Sequence, residues 1–324
     1  MFQPLYPVKM KPAFKDYLWG GRRLIDEWGM PCELEKAAEA WVLSAHPNGQ
    51  SVADSGPQQG KTLSDLIMQW GGKCLGRRGA SKDGFPILIK LIDAADDLSI
   101  QVHPNDAYAL AREGSYGKTE LWYVAQAEEN ATLLCGFSRS ITDEEYTRRI
   151  ADNTLAEVLN TVPVKEGDVF FIAPGTVHAI GAGVIIAEIQ QNSDITYRVS
   201  DYGRIGPDGR PRPLHIEKAR EVTNLKASEF DGRPHGACTV RDGYMETVLA
   251  QCEYFSVTEY HIFESLRLDA GGDTFEALLF LGGDAVLEHG GDRYPARKGD
   301  CYFVPAGMGA YTVTGRARLL VTRT

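Results

Sequence analysis

A nine-residue pattern recurs in this chain, and the repetition constrains the fold more than any single motif does. Gly167-Asp-Val-Phe-Phe-Ile-Ala-Pro-Gly175 matches Gly299-Asp-Cys-Tyr-Phe-Val-Pro-Ala-Gly307 in register, and upstream Glu120-Leu-Trp-Tyr-Val matches Glu276-Ala-Leu-Leu-Phe. Each long string reads as a turn, a short apolar strand and a second turn. A single β unit used twice accounts for both matches. Carried three residues past its last glycine, the first string sets His178 against Ala310, so only the first copy has a histidine there.

Between these strings lie further short strands divided by Gly, Pro and Asn/Asp turns: Ile87 to Ile92, Ser99 to His103, Leu121 to Ala125, Thr132 to Cys135 and Val184 to Gln190, with several more after Thr247. Strands at this density, in consecutive runs rather than alternating with helices, predict a mainly antiparallel all-β protein of sandwich or jelly-roll type. Helices enter as insertions. Leu63, Leu66, Ile67 and Trp70 keep helical spacing, Thr142-Asp-Glu-Glu145 has capping-box spacing, and Leu214 to Val222 reads as a third helix. The turn-rich stretch Asp231-Gly-Arg-Pro-His-Gly236 predicts a boundary between a first domain, 1–232, and a second, 233–324, that lacks the site.

Lysine and arginine number 34 against 44 acidic residues, a formal charge of -10. That balance disfavours general binding to nucleic acid or to an anionic membrane. The amino-terminal stretch is broken by Pro and Lys and lacks the continuous apolar core of a signal peptide, and no apolar run approaches the length that spans a bilayer. The six cysteines form no C-x-x-C pair and read as reduced thiols of a cytoplasmic protein.

In Leu98-Ser-Ile-Gln-Val-His-Pro104, strand alternation puts Gln101 and His103 on one face. Gly117-Lys-Thr-Glu120 opens another strand, and Pro174-Gly-Thr-Val-His178 closes a turn. Two imidazoles and a carboxylate suit zinc or iron; read one at a time, His103 and His178 also fit as hydrogen-bonded structural residues. Arg198 and Arg204, with Lys118 beside Glu120, form the local basic group that an acidic protein needs to hold a phosphate, or else the arginines pair with Asp194 and Asp201 at the surface.

Taken in order, Trp19-Gly-Gly21, Ser44 to Gly49, Phe85 to Asp93, Leu98 to Asp106, Gly117 to Glu120, Pro174 to His178 and Gln190 to Arg204 resemble the type I mannose-6-phosphate isomerases in their short bacterial form. The resemblance implies two cupin-type jelly-roll barrels with short helical insertions. It implies one zinc ion per chain on Gln101, His103, Glu120 and His178, a catalytic Arg198, and substrate contacts from Ser99, Lys118 and Arg204 with Trp19 at the rim. The implied substrate is a small sugar phosphate, isomerised by proton transfer through an enediol. Lys118, Glu188 and a zinc-bound water all remain open as the base. His46 and His215 read as structural, and His235, His261 and His289 as without a catalytic role. Two other classes share part of this inventory. Another metal-dependent cupin enzyme has the two histidines and the glutamate without the polar run Gln191 to Arg204, and a non-catalytic sugar-binding or regulatory cupin holds its metal structurally.

Overall fold

The computed structural model describes residues 4–80, 84–206 and 209–324. In chain order the strands of the first part are β1 (Val8–Lys11), β2 (Ala13–Lys15), β3 (Glu39–Leu43), β4 (Val52–Ala53), β5 (Ile87–Ala94), β6 (Ile100–Val102) and β7 (Glu120–Ala127). They continue as β8 (Thr132–Phe137), β9 (Leu159–Pro163), β10 (Val169–Ile172), β11 (His178–Ile180), β12 (Val184–Gln191) and β13 (Tyr197–Ser200). After a long connection come β14 (Thr239–Arg241), β15 (Tyr244–Gln251), β16 (Ser256–Ile262), β17 (Ser265–Ala270), β18 (Glu276–His289), β19 (Asp292–Arg297), β20 (Cys301–Val304) and β21 (Gly309–Arg323). Their pairings are antiparallel throughout the described strands.

The strands form three sheets: β10-β7-β12-β5-β3-β2, β13-β6-β11-β8-β9, and a large one running β14-β15-β16-β21-β18-β20-β1-β4, with β17 on β21 and β19 on β18. None closes into a barrel. The two closed jelly-roll barrels expected above are therefore corrected to a mainly antiparallel fold of open sheets with helical insertions. The strands that would have to meet for closure are too short to do so: β2 and β14 have three residues, β4 has two and β13 has four. Such stubs offer few ladder groups, which is also how natural sheets blunt an edge against further pairing. Local strand signals predict which segments pair; closure depends on the end strands, which those signals do not rank.

The six-stranded sheet is the middle layer. Alternation along β7 sends Leu121, Tyr123 and Ala125 into a core shared with the large sheet, and Trp122 and Val124 into a core shared with the five-stranded sheet. With both faces covered, β5 and β12 are buried at every residue. That is why they read as apolar runs without alternation. The large sheet curls around a core of its own, built from residues such as Phe280, Tyr302 and Leu319. A fourth core lies between the five-stranded sheet and the helices Asp143–Ala151 and Ile216–Val222. The helix Leu63–Trp70 begins in a complete capping box of Thr62 and Asp65. Among the described residues no helix is long and apolar enough to cross a membrane, and the six cysteines are unpaired.

The repeated strings fold alike. Ile172 pairs with Glu120, and Val304 pairs with Glu276. In both turns the aspartate accepts from the backbone N–H three residues before it, Asp168 from Lys165 and Asp300 from Arg297.

Candidate metal centre

The candidate site lies between the middle sheet and the five-stranded sheet. Glu120 comes from the first residue of β7, His178 from the start of β11, and His103 from just beyond β6, where Gln101 is the cross-strand partner of His178. Two glycines make this possible. Gly117 packs so closely on Asn105 and Asp106 that a Cβ would lie 2.4 Å from the Asn105 carbonyl carbon, and its neighbour Lys118 donates its backbone N–H to Pro104 O at 3.0 Å. That contact carries Lys118 to His103. Gly175, at φ +85°, donates to the His103 carbonyl and turns the chain toward His178.

His103, Glu120 and His178 are at most 1% exposed. Their ligand atoms lie within 4.8 Å of one another. Glu120 Oε1 is 3.3 Å from His178 Nε2 and 3.8 Å from His103 Nε2. Each Nδ1–H donates to a backbone carbonyl, His103 to Ile195 O at 2.8 Å and His178 to Thr176 O at 2.9 Å. This leaves both Nε2 lone pairs facing inward. Burial, with Lys118 second, lowers the proton affinity of both rings, His178 down to about 3 and His103 well below its ordinary value. The imidazoles are thus neutral, as metal ligands must be. Glu120 Oε1 is buried without a hydrogen-bond donor. Three lone-pair donors converging on one point, one of them an orphaned carboxylate oxygen, is an arrangement that a cation relieves. The cluster can coordinate a metal ion. Gln101 faces the same point through Nε2, 3.4 Å from His178 Nε2; its amide must turn over to offer the oxygen.

A row of charge flanks this centre. Trp122, Glu188, Lys90 and Trp41 are successive cross-strand neighbours on β7, β12, β5 and β3. Trp122 Nε1–H donates to Glu188 Oε2 at 3.1 Å, Lys90 Nζ is 2.9 Å from Glu188 Oε1 and 5.3 Å from the Trp41 ring centre, and Trp41 Nε1–H donates to Glu39 Oε2 at 2.6 Å. Lys118 Nζ lies 2.7 Å from Glu120 Oε2, 3.4 Å from His103 Nε2 and 3.6 Å from Glu188 Oε1. Burial raises the Glu120 carboxyl above the usual range. Burial acts the same way on Glu188, but Lys118 and Lys90 outweigh it and keep that carboxylate ionised. Glu188 and Glu39 in turn hold Lys90 protonated against its burial.

Above the row opens a cleft of about 360 Å³. Trp19, Ser99, Gln101, Lys118, Glu188, Asp194 and Arg198, all named in the sequence reading, border it; so do Lys15, Glu39, Trp41, Lys90 and Arg212, which that reading did not single out. The signal for Lys90 was available, because it is a lysine inside the apolar run Phe85 to Asp93. Arg198 donates through Nε to Ser99 Oγ at 3.2 Å and through Nη1 to Pro213 O at 3.0 Å, and its backbone N–H goes to His215 Nδ1. Arg204 does not border the cleft. It is engaged by Asp201, Asp96 and the Asp97 carbonyl, close to the surface pairing left open above. His46 stands edge-on to Trp41 and 3.6 Å from Asp194.

Known proteins resemble the chain along its whole length. A family model for the type I phosphomannose isomerase catalytic domain matches residues 8–130, and one for the mannose-6-phosphate isomerase cupin domain matches residues 245–324. The mannose-6-phosphate isomerase ManA of Bacillus subtilis (strain 168) is 38% identical over 317 residues, covering 98% of each chain. The mannose-6-phosphate isomerase of Streptococcus mutans serotype c (strain ATCC 700610 / UA159) is 36% identical over 319 residues, again 98% of each. The crystal structure of the mannose 6-phosphate isomerase from Bacillus subtilis superposes with a TM-score of 0.88 at 35% identity, over 98% of this chain and 99% of that one.

Proposed function

The chain belongs to the type I mannose-6-phosphate isomerases of bacterial type, and from that premise we propose that it interconverts mannose 6-phosphate and fructose 6-phosphate. The observation that carries this reading is the buried convergence of His103, Glu120 and His178, with Glu120 Oε1 left without a donor, beside a cleft that Gln101, Lys90, Lys118 and Arg198 border. The reaction moves a proton between C2 and C1 through an enediol, so the site has to carry a proton and offset negative charge on a sugar oxygen.

We assign one zinc ion to His103, Glu120 and His178, with Gln101 as a further donor after its amide turns; nitrogen and carboxylate donors suit that ion. Zinc bound there supplies a Lewis acid for the oxygens on C1 and C2. Arg198 is the catalytic arginine. Tied at Nε and Nη1, it holds a fixed positive charge toward the enediolate without having to reorganise. Lys118 and Glu188, 3.6 Å apart, are the groups placed to move the proton. Trp19, Ser99 and Lys118 contact the sugar phosphate, and Arg204 supports the rim through Asp201. In this reading residues 1–232 hold the whole site and residues 233–324 hold none of it. Six unpaired cysteines favour the cytoplasm.

The test is a coupled assay for fructose 6-phosphate formed from mannose 6-phosphate, on protein stripped by chelator and then reloaded with zinc. Activity is expected to vanish on stripping and to return with the metal. A well-folded, zinc-loaded protein without turnover would move the reading to a binding or regulatory cupin.

A further inference from the structure

Resting on the isomerase reading, we propose that Arg212, oriented by Asp201 and set beside Arg198, is the residue that receives the substrate's phosphoryl group. Of the two arginines that share Asp201, only Arg212 borders the cleft. Its Nε donates to Asp201 Oδ2 at 2.8 Å and its Nη2 to Asp201 Oδ1, a side-on fork that fixes the guanidinium plane. Among the described residues no partner engages Nη1. Arg198 is held in the same manner by Ser99 and the Pro213 carbonyl, and among the described residues its Nη2 has no partner either. Each guanidinium is therefore held through two of its nitrogens, with the third left over.

Charge supports the same assignment. The Arg198 proton affinity is lowered first by burial and then by the field of Arg212, so the two cations feel one another. Asp201 is divided between Arg212 and Arg204, so it does not neutralise Arg212 alone. Arg212 thus presents a free nitrogen to the cleft with the positive charge of Arg198 beside it, a place that suits one oxygen edge of a dianionic phosphate while Arg198 stays with the sugar. Asp201 is then a positioning residue that serves the phosphate through Arg212. Lys118 is drawn instead to Glu120, 2.7 Å away, and Arg204 to Asp96 and Asp97 outside the lining.

The experiment compares Arg212→Ala, Arg212→Lys, Asp201→Asn and Arg204→Ala in the zinc-loaded protein. The readouts are kcat and KM for mannose 6-phosphate, and the affinity for inorganic phosphate by calorimetry. Loss of a charge-assisted contact is expected to raise KM about tenfold to a hundredfold in Arg212→Ala with kcat within about twofold, and to weaken phosphate binding in parallel. Arg212→Lys should recover part of both, and Asp201→Asn should give a smaller rise in KM. The inference is overturned if Arg212→Ala keeps the wild-type KM and phosphate affinity, if it loses kcat alone, or if Arg204→Ala shows the larger KM effect. Failure of the isomerase reading looks different: the wild-type protein itself has no turnover, while calorimetry still reports whether Arg212 binds phosphate.

Discussion

His103 and His178 owe their ring orientation to backbone carbonyls rather than to other side chains, so replacing one leaves the other in place. His103→Ala is expected to cut metal affinity by more than about a hundredfold while the large sheet stays folded. Metal content after desalting checks this, and a full equivalent of metal in the variant would remove His103 from the ligand set. Arg198→Ala, by contrast, leaves all four assigned ligands alone. Its kcat should fall about a hundredfold to a thousandfold with metal content unchanged, and an unaltered kcat would take the arginine out of the chemistry. Much of this was legible at the residue scale. The i, i+2 alternation of Gln101 and His103 and the strings around Glu120 and His178 named the residues that converge. Lys90 left a local trace as a lysine in an apolar run, but Glu39 and Trp41 escaped because their juxtaposition with it exists only across strands β3 and β5, between segments with no local signal in common. Arg212 escaped because nothing near it in sequence indicates that it lines a cleft while Arg204 does not.

Elements with a local signature were read correctly, and those defined by their surroundings were not. The helix Asp143–Ala151 starts where Thr142 accepts from the Glu145 N–H, as its spacing predicts. The helix Asp106–Glu113 gave no stripe to read, since Ala109 is its sole buried apolar residue and Leu110 is 51% exposed. In the first of these helices Glu145 is gripped by Arg139 and Arg149, whose hydrogen bonds bring its carboxyl down to about 2 from an ordinary 4.5. A carboxyl with a depressed folded-state value binds protons more readily when unfolded. Its contribution is therefore complete above about pH 4.5 and is lost as the pH falls toward 2. Denaturation midpoints of the wild type and Glu145→Gln should converge over that window and differ above it; parallel curves would mean the arginines add nothing. In the helix Leu63–Trp70, Thr62→Ala removes a capping box and should cost about 1 kcal/mol in chemical denaturation.

Across the whole molecule, the duplicated unit solves one problem twice by different means. Glu276 occupies the place of Glu120, buried and opposite the equivalent strand, yet it accepts from Arg323 Nε at 2.6 Å and from the Tyr311 hydroxyl. An internal guanidinium supplies there the positive charge that the first copy's cluster can take from a metal ion. Glu276→Ala is expected to destabilise the fold by about 2 kcal/mol, less than for a fully buried pair because Arg323 is partly exposed, with metal content unchanged. Loss of metal in that variant would contradict the division of labour between the copies. The repeat was visible in the sequence, but the barrels it suggested were not what formed, because short edge strands leave all three sheets open. One of those sheets takes its strand β1 from the beginning of the chain and sets it between β4 and β20. On a ribosome adding about 5–20 residues each second, Val8 to Met10 emerge about 290 residues ahead of Cys301 to Phe303, so this strand waits on the order of fifteen seconds to a minute for its mate. During that interval its apolar side chains are open to any other edge in the cell, and translation of the remaining chain sets the earliest moment at which native protein can exist.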